Sequence, residues 1–282
     1  MKLLNSTTLL EGALTKGYAL PALNTNGGTY DIARAILEAA NELRSPIIIQ
    51  AYGPNLEYRG YDYFALLVKH LAEDIDVPVC LSLDHGASLD AVMRAVKAGF
   101  THIMFDYAHH PIEENIAYTN KVIDLVRPLN IGVEAEIGEI LINQGDDARA
   151  PLTPIADIKA FCSQVDVDFL AVGVGTTHGI FERQDTIDFE HIKMAKQACG
   201  VPLVLHGTCG LSMEDVSKAV KCGMTKVNFG EGLRMEYINY FKEFESTLNH
   251  QHHPWRIMRA AKDKLKNYAK DLIMAVGSDG KV

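Results

Sequence analysis

The sequence predicts a (β/α)8 TIM barrel of the α/β class, with an additional C-terminal helix, spanning residues 1–282 as a single domain. Three observations predict it. Eight short apolar, β-branched segments recur along the chain, each is followed by a longer stretch of helical periodicity, and the units are evenly spaced. An open doubly wound sheet would instead carry a GxGxxG turn after its first strand, and residues 23–28 read LNTNGG.

The first segment, 19–24, ends in Asn24 and precedes a helix whose Ile32, Ile36 and Leu43 share one face. Segment 46–51 follows, then 77–84, which delivers Asp84 and His85 at its end. Segment 102–106 ends in Asp106. In 131–136 the side-chain period of two points Glu134 and Glu136 into the barrel and sends Val133 and Ala135 toward the helices. Segment 168–174 runs toward His178, and 202–206 ends in His206. Ser212, with Asp215 three residues on, marks a helix start. Segment 225–229 puts Lys226 and Asn228 on one face, which predicts a Lys226–Glu134 ion pair and leaves Glu136, nearer the mouth, as the functional carboxylate. Residues 254–274 read as an additional amphipathic helix.

A formal charge of −9 without a basic block disfavours nucleic acid and anionic membrane as partners and favours a small molecule. The first twelve residues contain too short an apolar run for a signal peptide, and no segment approaches the roughly 20 apolar residues of a membrane span, so a soluble cytoplasmic protein is expected. Five cysteines (Cys80, Cys162, Cys199, Cys209 and Cys222), odd in number and without CxxC spacing, predict reduced thiols.

Barrel enzymes carry their chemistry at the C-terminal ends of the strands. His85, His178 and His206 come from three strand ends and can reach one point, and neutral imidazoles with an open position are the usual setting of a catalytic zinc. A single histidine of this kind would read as an ordinary hydrogen-bonded one. The remaining histidines, the late HQHH run (250–253) included, fall on helices, inside the fourth strand or in polar loops.

The motifs SLDHGAS (82–88), VEAEIG (133–138), VGTTHG (174–179), VLHGTCG (204–210) and KVN (226–228), with a terminal GSDGK, are collinear over nearly the whole chain. Together they resemble class II ketose-bisphosphate aldolases of the fructose-bisphosphate and tagatose-bisphosphate branch. The resemblance implies that His85, His178 and His206 hold one divalent cation, Zn2+, with Asp106 and Glu136 as alternate or second-site ligands and room for a second metal or a monovalent cation. It implies Asp84 as the acid/base for the hydroxyl proton. It also implies Asn24, Gly179, Gly207, Cys209, Gly210, Asn228, Gly230 and Glu231 against a sugar or sugar phosphate, and a homodimer or homotetramer. A dication of this kind acts as a Lewis acid on the carbonyl beside the cleaved bond, so no lysine Schiff base is required.

The chain departs from the resemblance in three places. Cys209 and Glu231 stand where relatives place phosphate-binding hydroxyls, and a glutamate at a helix start would repel a phosphate dianion unless Arg234, one turn on, offsets it. The backbone amides of Gly207, Gly210 and Gly230 keep the opposite outcome open. The loop LINQGDDARAPLTP offers only Asp146 or Asp147 as a mobile acid. HPW, with Trp255, replaces a DPR motif, although Arg256 and Arg259 are close by. Competing expectations are a Schiff-base aldolase using Lys226, and a barrel that only binds a sugar.

Overall fold

The computed structural model describes residues 3–27, 29–138, 140, 151–179, 187–247 and 253–282. Its eight strands are β1 (Leu20–Asn24), β2 (Ile47–Tyr52), β3 (Val79–Gly86), β4 (His102–Phe105), β5 (Gly132–Ile137), β6 (Phe169–Val172), β7 (Leu203–Leu205) and β8 (Met224–Phe229). Each pairs in parallel with its sequence neighbour, and β8 closes onto β1 through Ala22 opposite Asn228. The predicted barrel is therefore present, with strand ends within two residues of those read from the sequence.

The helices are α1 (Ser6–Lys16), α2 (Tyr30–Glu42), α3 (Gly53–Arg59), α4 (Tyr61–Leu71), α5 (Leu89–Ala98), α6 (Ile112–Val126), α7 (Ile155–Cys162), α8 (Phe189–Ala198), α9 (Met213–Cys222), α10 (Glu231–Thr247) and α11 (Pro254–Ala275). Ser212 caps α9 by accepting from Asp215 N, as its spacing predicted. Lys262 and Lys266 on α11 reach Glu38 and Glu42 on α2 at 2.6 Å each, so spacing by four residues lays one ion-pair ladder along two packed helices. None of the described helices is long and apolar enough to cross a membrane.

The alternation of β-strand side chains builds two cores. Outward positions such as Val133 and Ala135 join the large layer between sheet and helices. Inward positions Leu20, Ala22, Ile48, Cys80, Phe169, Ala171 and Val204 form a separate apolar cluster with Leu9 and Ala13 of α1. The start of α1 lies at the N-terminal rim, where Leu4 N donates to Val79 O and Asn5 Nδ2 to Asn130 O, so this helix floors the barrel. Above the floor, inward side chains become polar, which places ionisable groups at the opposite end.

The expectation of five reduced cysteines is corrected. Cys162, the last residue of α7, and Cys199, just past α8, form a disulfide with their Cα atoms 6.0 Å apart. Neighbouring helices bring the two thiols together, a proximity that neither an odd count nor a spacing motif reveals. Cys80, Cys209 and Cys222 form no disulfide among the described residues.

Candidate active site

Period-two alternation would send Asp84 and His85 to opposite faces of β3. The chain resolves this by placing His85 at φ 49, in the left-handed region, where the pairing of β3 with β4 shifts register between Leu83 and Gly86. Such a kink in a non-glycine residue costs of order 1–3 kcal/mol and is kept where side-chain direction matters. Both side chains consequently reach the mouth.

There His85, His178 and His206 offer ring nitrogens that all lie within 4.8 Å of one another. His85, Asp106 and Glu136 form a second such group, sharing His85 with the first. The ring partners decide which nitrogens are free. His85 Nδ1–H donates to Asp106 Oδ2 at 2.6 Å, and His206 Nε2–H donates to Glu134 Oε1 at 3.0 Å. His206 Nδ1, His178 Nε2 and Glu136 Oε2 are buried with no hydrogen-bond partner. His206 Nδ1 and Glu136 Oε2 face each other at 3.8 Å, beyond hydrogen-bond reach.

Unpaired buried polar atoms cost about 1–3 kcal/mol each, and a cation drawing on all three would remove that penalty. The donor set fits a divalent transition metal: three imidazoles, two carboxylates in reach, and no thiolate among the described ligand groups.

The electrostatics point the same way. Burial opposes the His85 imidazolium, but the Asp106 hydrogen bond and the charges of Asp84 and Glu136 outweigh it and push the ring up to about 10. Burial also disfavours the Asp106 carboxylate, yet His85 holds it down to about 2. Burial pulls His206 down to about 4, leaving the neutral ring a metal requires. Glu136 is pushed up to about 8, first by burial and then by the Asp106 charge. The carboxylates that raise His85 make surroundings that favour a positive charge, and a cation bound there would take the place of the His85 ring proton.

Beneath the mouth, Lys226 Nζ sits 2.7 Å from Glu134 Oε2 and donates to Asn228 Oδ1 at 2.6 Å. The sequence-predicted ion pair is present. Burial works against the Glu134 carboxylate, and Lys226, His102 and His206 together hold it well below the usual range. The bond from Lys226 fixes the Asn228 amide so that Nδ2 turns to Asp84 Oδ1 at 3.3 Å, while Asn24 Nδ2 donates to Asp84 Oδ2 at 2.7 Å. Two amides therefore orient the Asp84 carboxylate. An amine engaged twice and 1% exposed is not a free nucleophile, which counts against a Schiff base at Lys226.

Above the Lys226–Glu134 pair the mouth encloses a cavity of about 580 Å³. Asn24, Asp84, His85, Asp106, Glu136, His178, Gly179, His206, Gly207, Asn228, Gly230 and Glu231 all line it, whereas Cys209 and Gly210 do not. Glu231, the first residue of α10, lies 3.7 Å from His178 Nδ1. Burial opposes its ionisation, and His178 and Arg234 draw it below the usual carboxylate range. Arg234 also borders the cavity and acts on Glu231 through space rather than by an ion pair. Asp146 and Asp147 lie outside the described residues.

Gln50, Tyr52, Asn55 and His109 line the cavity without having been read from the sequence. Gln50 carried a usable signal, a lone amide inside the apolar run IIIQAY, and its buried Oε1 has no partner. Tyr52, the next inward position on β2, meets the His85 ring edge-on at 5.9 Å.

The family model described as fructose-bisphosphate aldolase class-II matches residues 4–281. The chain belongs to the class II fructose-bisphosphate aldolase family. Members of this family are metal-dependent lyases that act on small sugar phosphates, in keeping with a polar, cation-ready barrel mouth. Among solved structures, the chain is similar to the YdjI aldolase from Escherichia coli K12, at 28% identity and a TM-score of 0.86, covering 99% of both chains. It is similar to a fructose-1,6-biphosphate aldolase candidate from Coccidioides immitis, at 26% identity and a TM-score of 0.85, over 98% of this chain and 97% of the other. Fructose-bisphosphate aldolase (Fba) from Campylobacter jejuni shares the fold at 21% identity and a TM-score of 0.83, covering 98% of this chain and 95% of the other.

Proposed function

We propose that this chain catalyses reversible, zinc-dependent retro-aldol cleavage of a ketose or ketose phosphate to a ketol and an aldehyde, as a homodimer or homotetramer in the cytoplasm and with the whole chain as one catalytic domain. The observation that carries the reading is the convergence of ring nitrogens from His85, His178 and His206, with His178 Nε2 and His206 Nδ1 buried and unpartnered, beside a doubly held Asp84. Three imidazoles with space for substrate oxygens suit zinc. Bound there, the cation would supply Lewis-acid stabilisation of the negative charge that cleavage leaves next to the carbonyl.

The residues of the chain do the remainder. Asp84 takes the hydroxyl proton at the breaking bond and returns it in the reverse direction. Asn24 and Asn228 aim its two oxygens, and the Gln50 oxygen is an acceptor for a sugar hydroxyl. Asp146 or Asp147 handles the proton at carbon.

At the donor end we place a hydroxyl rather than a phosphate dianion, because the Glu231 carboxylate lines the cavity without an ion pair to Arg234. Matched ketoses with and without a 1-phosphate, assayed for cleavage with and without added zinc, test both statements. Turnover that survives exhaustive chelation ends the metal reading, and a clear preference for the 1-phosphate ends the donor reading. Borohydride trapping of a substrate adduct would return Lys226 to the mechanism.

A further inference from the structure

Two histidine–carboxylate pairs of the site follow one rule. His85 turns Nδ1 to Asp106, His206 turns Nε2 to Glu134, and the opposite edge of His206 is left with a bare nitrogen facing the other rings. A carboxylate behind a metal-binding imidazole fixes the tautomer and ring plane and raises ligand basicity. His178 lies on the connection after β6, outside the eight barrel strands, and its Nε2 is likewise bare and buried. Its Nδ1 edge faces Glu231 Oε1 at 3.7 Å.

We infer that Glu231 is the positioning residue of His178, the third member of a set in which Asp106, Glu134 and Glu231 each stand behind one of the three ligand rings. The assignment rests on the metal reading above, and it gives Glu231 a task beyond its effect on the donor end. A neutral hydroxyl or amide at 231 could not supply the charge that orients a ring carried on a loop. The place of Glu231 at the N-terminus of α10 suits the role, since the helix start stabilises the carboxylate while its side chain lies along the cavity wall. Gly207 ties the same loop down from the other side: a Cβ there would stand 2.7 Å from Thr177 O, next to His178.

The test is cobalt binding by metal-stripped protein, read by the visible absorption of bound Co2+ and by competition with a chelator for affinity. Glu231→Gln keeps shape and removes charge. It should weaken Co2+ binding about 10–100-fold and shift the absorption bands. Glu243→Gln, farther along α10 in a surface pair with Lys264, should leave both unchanged. Affinity within about twofold of wild type together with an unaltered spectrum in the Glu231→Gln protein overturns the inference while leaving the metal site standing. Equal weakening by Glu243→Gln also overturns it, since the effect would then belong to the helix. A wild-type chain that takes up no cobalt overturns the metal reading itself.

Discussion

Lys226 and Glu134 face each other at 2.7 Å inside the barrel, with exposures of 1% and 0%. The pair sits between the apolar floor and the cavity, and both partners have further tasks. Glu134 also accepts from His102 Nε2 at 3.4 Å and from His206, while Lys226 sets the amide of Asn228. Glu134→Gln leaves the ammonium buried without its counter-charge, so unfolding free energy should fall by about 3–5 kcal/mol in a urea titration. A loss under 1 kcal/mol would mean that water or a neighbouring group replaces the missing charge.

Asp84→Asn removes the proton acceptor but keeps the shape and one amide contact. Turnover should fall about 10²–10⁴-fold with metal content unchanged. Metal analysis beside steady-state assays separates this outcome from simple loss of the cation, which would instead show as metal-depleted protein.

Gly53, the first residue of α3, lies against the kinked backbone of β3, and a Cβ on it would stand 2.9 Å from His85 O. Neither backbone yields cheaply. Gly53→Ala should therefore displace the His85 ring and lower kcat toward about 10²-fold, the usual consequence of an ångström-scale misplacement. Wild-type activity in this variant would show that the end of β3 has slack.

The contact of Lys262 with Glu38 makes an acid-sensitive joint between α11 and α2. Burial raises Glu38, but Lys262 and Arg34 prevail and hold it below its ordinary 4.5. A lowered folded value means that the stabilisation is complete above pH 4.5 and disappears as pH falls through the folded value. Urea midpoints of Glu38→Gln should accordingly change less than those of wild type as the pH falls below 4.5. Parallel acid limbs would assign the wild-type loss to other carboxylates.

Much of this architecture was readable because barrel strands are dictated by local, repeated signals. β-Branched runs such as IIIQAY and VCLSLDHG mark strands wherever they occur, and alternation assigned Val133 outward and Glu134 inward without further information. α1 escaped because its value lies in covering the barrel floor, a demand no local pattern expresses. The direction of His85 could not follow from alternation, which predicts the opposite face; only the positive φ turns it inward. The pairing of Cys162 with Cys199 and the approach of Glu231 to His178 join segments that only the packing of βα units against one another brings together. The sequence named Glu231 as an anomaly at a phosphate position, and its neighbourhood with an imidazole emerged only in three dimensions.

The ion-paired storey beneath the cavity is built wholly from strand residues, whereas Tyr52, Asn55, His109 and Arg234 lie at strand ends or beyond them. Rim positions can therefore drift, admitting a longer or a more acidic aldehyde, without disturbing the charges below that align the chemistry. Evolvability of substrate choice and durability of the fold are housed on separate floors of one building.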